Sequence, residues 1–328
     1  MRCISRAKSV ALVCAASISL FTGGCIGGKG ATPVTAYELK NYNQDLYQGK
    51  LYAEELCVAQ NDVALEGYTE DTELHSAALF DLTGERVLYS YKAHERLYPA
   101  STTKIMTALL AIENANLDDQ VTISGNADAS SFSADAQVCG LAKGEVWTLR
   151  DLLGALLLYS GNDAATAIAE YVGGSEEAFV NMMNRRAQEL MANGTHFMNP
   201  HGLHDDNHYT TAYDLYLIFN ECIKHEDFVN IIQSEAYTAY YTDVDGNSQE
   251  ALFTPTNLYA QGEVDVPENV TIVGGKTGTT DEAGYCLILM EKDSSDNPYI
   301  SIVMGASEKP VLYEDMTSLI EAIPSGQQ

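Results

Sequence analysis

The order in which hydrophobic periods follow one another most constrains what this chain can become. Ser76-Ala-Ala-Leu-Phe-Asp81, a Leu-Thr-Gly turn and Arg86-Val-Leu-Tyr-Ser-Tyr91 read as a β-hairpin. Val270 to Thr277, Tyr285 to Glu291 and Tyr299 to Gly305 read as three more strands, followed by a helical stretch from Val311 to Ile323. Between these two sets lies a helical middle. Strands at both ends of a helical middle predict an α+β fold: an antiparallel sheet flanked by helices in three layers, with a helical subdomain beside it.

The middle is punctuated at informative places. Ser101 to Asn114 carries Ile105, Leu109 and Ile112 on one stripe, and Pro99 discourages an earlier helix start, so Ser101 falls in the first turn. Leu149 to Tyr159 and Asp163 to Val172 read as two buried helices broken at Ser160-Gly161, and Ser175 to Met191 as a third that ends near Gly194. No repeat at a solenoid or propeller period is present, so one folded domain over residues 73–328 is expected.

The N-terminal segment reads differently. Arg2, Arg6 and Lys8 precede an apolar run from Ser9 to Phe21, too short to span a bilayer, so Met1 to Gly24 reads as a secretory signal peptide. Cys25 follows Phe21-Thr-Gly-Gly, which resembles a lipoprotein signal in which the cysteine is acylated and becomes the new N-terminus; Thr22 departs from the usual aliphatic residue. Residues 25–72 mix glycine, tyrosine and acidic side chains without a sustained period and are expected to be a flexible spacer with little packed structure. The expected location is the outer face of the cytoplasmic membrane, with the lipid at Cys25 as the membrane contact.

The chain has 18 basic and 46 acidic residues, a net charge of −28 that becomes −31 without the signal. Such a surface repels phosphate backbones and anionic lipids, so no nucleic acid partner is expected. Cys57, Cys139, Cys222 and Cys286 show no CxxC pair, which leaves zinc and redox motifs unsupported and free core thiols as the reading.

Three short motifs stand in order: Ser101-Thr-Thr-Lys104, Ser160-Gly-Asn162 and Lys276-Thr-Gly278, a set found in penicillin-binding proteins and class A β-lactamases. A serine hydroxyl is a poor nucleophile until a base takes its proton, and residues three apart on a helix share a face, so Lys104 can reach Ser101. Lysine acts as a base near neutrality only if burial and nearby positive charge depress its pKa, and Lys276 can supply that charge. The helix N-terminus around Ser101 offers free N–H groups to a developing oxyanion, and Thr279 a second donor. Each motif alone is weak: Ser5-Arg-Ala-Lys8, Ser124-Gly-Asn126 and Ser295-Asp-Asn297 fit the same patterns in unsuitable contexts.

The wider sequence, from about residue 75 to 308, resembles the D-alanyl-D-alanine carboxypeptidases among the low-molecular-mass penicillin-binding proteins. Its further marks are Tyr98-Pro-Ala-Ser-Thr-Thr-Lys104, Leu149-Arg-Asp-Leu-Leu153, Ser160-Gly-Asn-Asp-Ala-Ala165, Asn199-Pro-His-Gly-Leu203, His208-Tyr-Thr-Thr-Ala-Tyr-Asp214 and Gly275-Lys-Thr-Gly-Thr-Thr-Asp-Glu-Ala-Gly284. The resemblance implies a DD-peptidase/β-lactamase-like fold. It also implies a serine hydrolase that removes the terminal D-alanine from peptidoglycan stem peptides ending in D-Ala-D-Ala and is acylated by β-lactam antibiotics. Ser101 then corresponds to the acylated nucleophile, Lys104 to the proton acceptor, Ser160 to the proton relay and Asn162 to a substrate-amide ligand. Lys276 corresponds to the receiver of the terminal carboxylate, with Thr277, Gly278 and Thr279 on the strand beside the substrate. Members of the family often continue into a β-rich C-terminal domain and an amphipathic membrane helix; here an N-terminal lipid is expected as the anchor instead.

Three rivals compete with that assignment. A class A β-lactamase requires a loop glutamate for its deacylating water, but the corresponding stretch, Phe197-Met-Asn-Pro-His-Gly-Leu203, has none. His196, His201, His204 and His208 cluster in sequence but match no HExxH-type spacing, so packing and hydrogen bonding are expected of them and no metal or other cofactor. A penicillin-binding sensor would acylate at Ser101 and stop without turnover.

Overall fold

The computed structural model describes residues 55–65 and 76–324. The first half runs β1 (Ser76–Asp81), β2 (Arg86–Tyr91), a 3-10 turn (Ala100–Thr103) leading into α1 (Lys104–Asn114), β3 (Gln120–Thr122) and β4 (Val146–Thr148). Next come α2 (Leu149–Gly154) extended by a π turn (Ala155–Tyr159), α3 (Asn162–Gly173), α4 (Glu176–Glu189), α5 (Ala212–Cys222) and α6 (Glu226–Ile232). The chain then forms β5 (Tyr237–Thr242), β6 (Ser248–Phe253), α7 (Leu258–Gln261), β7 (Val270–Thr280), β8 (Gly284–Asp293), β9 (Pro298–Ala306) and α8 (Lys309–Glu321).

The central sheet has the order β2-β1-β9-β8-β7, with every neighbouring pair antiparallel. Its inner strands are apolar at successive positions because both faces are covered. Side chains alternate across a strand, so Phe80, Ile288 and Ile302 point into the larger core while Leu79, Leu287 and Val303 point into a smaller one. The smaller core is closed by Leu312, Met316, Leu319 and Ile320 of α8. On the other side α1 is buried without a gap from Lys104 to Ala111, as expected of a helix surrounded by protein. The fold is therefore the α+β, three-layer arrangement expected from the order of periods.

A second sheet, β3-β4-β5-β6, was not anticipated. Its first two strands have three residues each, too short for any period to show. The β5–β6 hairpin did carry a signal: Asp245-Gly246 sits at its turn, with Gly246 at φ +85, where an L side chain is strained.

The described residues correct the expected spacer at one place. Residues 55–65 fall within 25–72, yet they pack on the domain. Cys57 is buried in the main core, its N–H donates to Tyr216 Oη at 2.9 Å, and Val63 forms a bridge with Ser90 beside β2. The physical reason is the edge of β2, whose backbone groups accept a partner regardless of that partner's hydrophobic period. The signal peptide and Cys25 lie outside the described residues. Cys57, Cys139, Cys222 and Cys286 are free thiols, and among the described residues no helix is long and apolar enough to cross a membrane.

Candidate active site

Three separate turns meet at the C-terminal half of β7. The first carries Ser101, in the 3-10 turn that introduces α1. This turn is wedged between two glycines. A Cβ on Gly202 would lie 1.9 Å from the Ala100 carbonyl oxygen, and one on Gly278 would lie 3.0 Å from the Ser101 nitrogen. Ala100 itself adopts φ +46, a left-handed conformation that costs a non-glycine residue about 1–2 kcal/mol and persists only where the surroundings dictate it.

The second turn carries Ser160. The π turn after α2 ends there at φ 72, ψ 32, and α3 begins at Asn162. Asp163, fully buried in the first turn of α3, accepts the N–H groups of Cys139 (2.9 Å), Gly140 (2.9 Å), Leu141 (3.1 Å) and Ala164 (2.9 Å). Asn162 N–H donates to the Gln137 carbonyl at 2.8 Å. These contacts clamp the segment around residues 137–141 against the turn that holds Ser160 and Asn162.

The third turn is the loop Asn199 to Leu203. Thr107 Oγ1 donates to the Pro200 carbonyl at 2.6 Å, and Asn199 Oδ1 accepts the Gly202 N–H at 2.7 Å, which turns the His201 carbonyl toward Lys104. The imidazoles in this region have separate partners. His208 Nδ1 accepts the Met198 N–H, so Nε2 carries the proton that it donates to Thr103 Oγ1 at 2.8 Å. Burial holds His208 down to about 4 and His201 to about 3, so both rings are neutral at physiological pH.

Lys104 Nζ sits where these turns converge, 3.0 Å from Ser101 Oγ, 2.8 Å from Asn162 Oδ1 and 2.6 Å from the His201 carbonyl oxygen. The side chain is fully buried, and burial first, then the charge of Lys276, push its pKa well below the ordinary lysine value. A neutral amine has two N–H donors and one lone pair. When Lys104 is neutral, the two carbonyl oxygens can take both donors and leave the lone pair for the Ser101 hydroxyl. Nearby, Lys276 Nζ donates to Ser160 Oγ at 2.8 Å and to the Thr277 carbonyl at 2.9 Å, and burial lowers its pKa to about 7.

Ser101, Ser160, Asn162, Thr277, Gly278 and Thr279 line one groove of about 590 Å³. Thr277 Oγ1 is hydrogen-bonded to Thr256 Oγ1 at 2.5 Å, so the strand's hydroxyl is held at the wall. All eight residues singled out from the three motifs thus meet at one place. Two contributors escaped the sequence reading. Asp163 sits inside a quoted motif without having been given a task, and a buried acid at a helix start was the available signal. The His201 carbonyl is a backbone group, for which side-chain identity carries no signal.

A family model described as D-alanyl-D-alanine carboxypeptidase matches residues 64–308. The chain belongs to this family. The D-alanyl-D-alanine carboxypeptidase DacF of Bacillus subtilis (strain 168) is 34% identical over 254 residues, 76% of this chain and 61% of that protein. DacC of Escherichia coli (strain K12) is 31% identical over 249 residues, 74% of this chain and 59% of that protein. The chain therefore spans about three fifths of the length of these curated relatives. Among solved structures, the Streptomyces K15 DD-transpeptidase superposes with a TM-score of 0.71 at 28% identity, covering 78% of this chain and 98% of that one. This family member accordingly has a penicillin-binding-protein fold of the β-lactamase-like type.

Proposed function

We propose that the protein is a serine D-alanyl-D-alanine carboxypeptidase acting on peptidoglycan stem peptides. One observation carries this assignment: a buried lysine with both its N–H donors engaged faces the hydroxyl of Ser101 across 3.0 Å. Lys104 takes the Ser101 proton as Oγ attacks the carbonyl of the penultimate D-alanine. The oxyanion receives the backbone N–H groups of Ser101 and Thr279. Ser160, bonded to Lys276, passes a proton to the amine of the departing D-alanine, and the C–N bond breaks to give the acyl-enzyme. Water then adds to the ester carbon, its proton returns through Lys104, and Ser101 is freed. Lys276 and Thr277 receive the terminal carboxylate, Asn162 binds the substrate amide, and Gly278 lets the strand approach the nucleophile. A β-lactam amide enters the same first step and leaves the enzyme acylated.

The same proposal extends to the chain's surroundings. Met1 to Gly24 acts as a leader, Cys25 as a lipidated anchor on the outer face of the cytoplasmic membrane, and the segment after it as a tether up to the packed residues near Cys57. A mature charge of −31 adds no attraction to anionic lipid, so the two acyl chains of a diacylglyceryl group would carry the attachment.

The decisive assay is release of D-alanine from a tripeptide ending in D-Ala-D-Ala, together with labelling by a fluorescent penicillin. Many turnovers per enzyme are expected, and Ser101→Ala abolishes both signals. A single stoichiometric burst identifies a sensor instead, and full labelling of the alanine variant refutes the nucleophile. Mass spectrometry of the N-terminal peptide tests the anchor separately: an unmodified Cys25 rejects it.

A further inference from the structure

Beyond the reactive groove the structure holds a second cavity, of about 500 Å³, that no step above uses. It adjoins the groove, since Asp281 and Glu282 of the β7–β8 turn line both. Its other charged lining groups are Arg96 and Asp206. Arg96 lies over the ring of Tyr209 with its guanidinium carbon 4.6 Å from the centroid, which fixes the plane of the cation at the cavity wall. Among the described residues no ion pair joins Arg96 to a carboxylate. His204 stands at the border of groove and cavity, 3.3 Å from Asp206 and 3.9 Å from Glu282, with its ring edge-on to Tyr98. The cavity thus presents one planar cation and three carboxylates.

The direction of the substrate places this cavity. If the terminal carboxylate lies at Lys276 and Thr277, an extended peptide beside β7 rises about 3.3 Å per residue. Its third residue from the end then comes level with Thr279 to Asp281, roughly 7 Å upstream. At that level stand Asp281 and Glu282, which line the second cavity as well as the groove.

We infer that this cavity is the subsite for the third residue of the stem peptide, and that it selects a side chain ending in a zwitterion, as in diaminopimelate, over one ending in a lone ammonium, as in lysine. Asp281, Glu282 and Asp206 receive the ammonium, which both kinds of side chain possess. Arg96 receives the carboxylate, which only the zwitterion has, through the paired N–H donors of its guanidinium. Selection arises because a lysine side chain leaves Arg96 without an anion. The inference rests on the carboxypeptidase reading, because it needs the peptide to run from Lys276 toward Glu282.

The test compares D-alanine release from three peptides that differ only at the third residue: meso-diaminopimelate, lysine and ε-acetyl-lysine. For the unaltered protein kcat/KM is expected to fall in that order, by about three- to tenfold per step, as fits charge-assisted contacts at partly exposed groups. Arg96→Ala should collapse the diaminopimelate-to-lysine ratio toward one, while the double variant Asp281→Asn, Glu282→Gln should collapse the lysine-to-acetyl-lysine ratio. Equal kcat/KM for all three peptides, or ratios unmoved by both variants, overturns the subsite. Penicillin labelling measured on the same preparations separates the two levels. Labelling and turnover without selectivity reject only the subsite, whereas no turnover of any peptide rejects the carboxypeptidase reading and the subsite with it.

Discussion

Asn162→Asp replaces one atom group and tests the central electrostatic claim. Asn162 Oδ1 lies 2.8 Å from Lys104 Nζ, and both side chains are buried, so the change puts a carboxylate against the lysine. At an effective dielectric near 20, unit charges at this distance attract by about 6 kcal/mol. Desolvation of the new carboxylate offsets part of that, and the remainder favours the ammonium. A protonated Lys104 has no lone pair for the Ser101 proton. Its pKa rises, so the neutral fraction at pH 7 falls, and acylation should slow by about ten- to a thousandfold. The loss should shrink as pH rises, because hydroxide restores the neutral amine. The assay is the second-order rate of acylation by a fluorescent penicillin from pH 6 to 10, with Asn162→Ala as the control that removes the acceptor without adding charge. The aspartate profile should be displaced to higher pH relative to both the unaltered protein and the alanine variant. If all three profiles share their midpoint, Lys104 is not the titrating base.

Further outcomes follow from other contacts. Lys276→Ala should lower kcat/KM for a D-Ala-D-Ala peptide about ten- to a hundredfold by removing a charge-assisted contact to the terminal carboxylate, while an amidated C-terminus should lose little further; an unchanged constant removes Lys276 from recognition. Asp163→Ala should destabilise the fold by about 2 kcal/mol or more in urea denaturation, since four N–H groups, those of Leu141 and Ala164 buried, lose their acceptor; a loss below about 1 kcal/mol would mean that water replaces it. Glu291, fully buried on β8, has its carboxyl pKa raised well above 4.5 by desolvation, so above about pH 4.5 folding takes up a proton that the unfolded chain has lost. Stability should therefore fall as pH rises from about 4.5 toward the folded value, and Glu291→Gln should be the more stable form at pH 8 but not at pH 4; parallel pH curves for the two proteins refute this.

What could be read beforehand depended on whether the signal was local. The β1–β2 hairpin, α1 and the strands β7 to β9 announce themselves by period, and Ser101, Ser160 and Lys276 by spacing and order, because each motif lies within a few consecutive residues. The expected helix start at Ser101 was one turn early. The wedge of Gly202 against Ala100 holds the first residues in a 3-10 turn, and nothing nearby in sequence reports a clash made by a loop a hundred residues away. Residues 55–65 were assigned to a spacer for the same reason. Their attachment is a backbone bridge to β2 and scattered hydrogen bonds, among them Cys57 N–H to Tyr216, Lys92 N–H to Asp62 and Tyr213 Oη to the Cys57 carbonyl, none of which leaves a periodic trace. The task of the His201 carbonyl was equally invisible, since any residue supplies a carbonyl and only the fold aims it.

The convergence of turns on Lys104 has a bearing on when the protein becomes reactive. The lysine's partners Asn162 and His201 lie 58 and 97 positions along the chain, and Lys276 reaches Ser160 across 116. In a partly folded chain Lys104 is hydrated, keeps its proton and leaves Ser101 an ordinary alcohol. In the proposed mechanism the nucleophile is therefore armed only by completed tertiary structure, so a chain that has not finished folding does not react. That requirement also makes covalent labelling of Ser101 a sensor of native molecules, because the label counts those in which helices, loop and sheet have all docked, and passes over the rest.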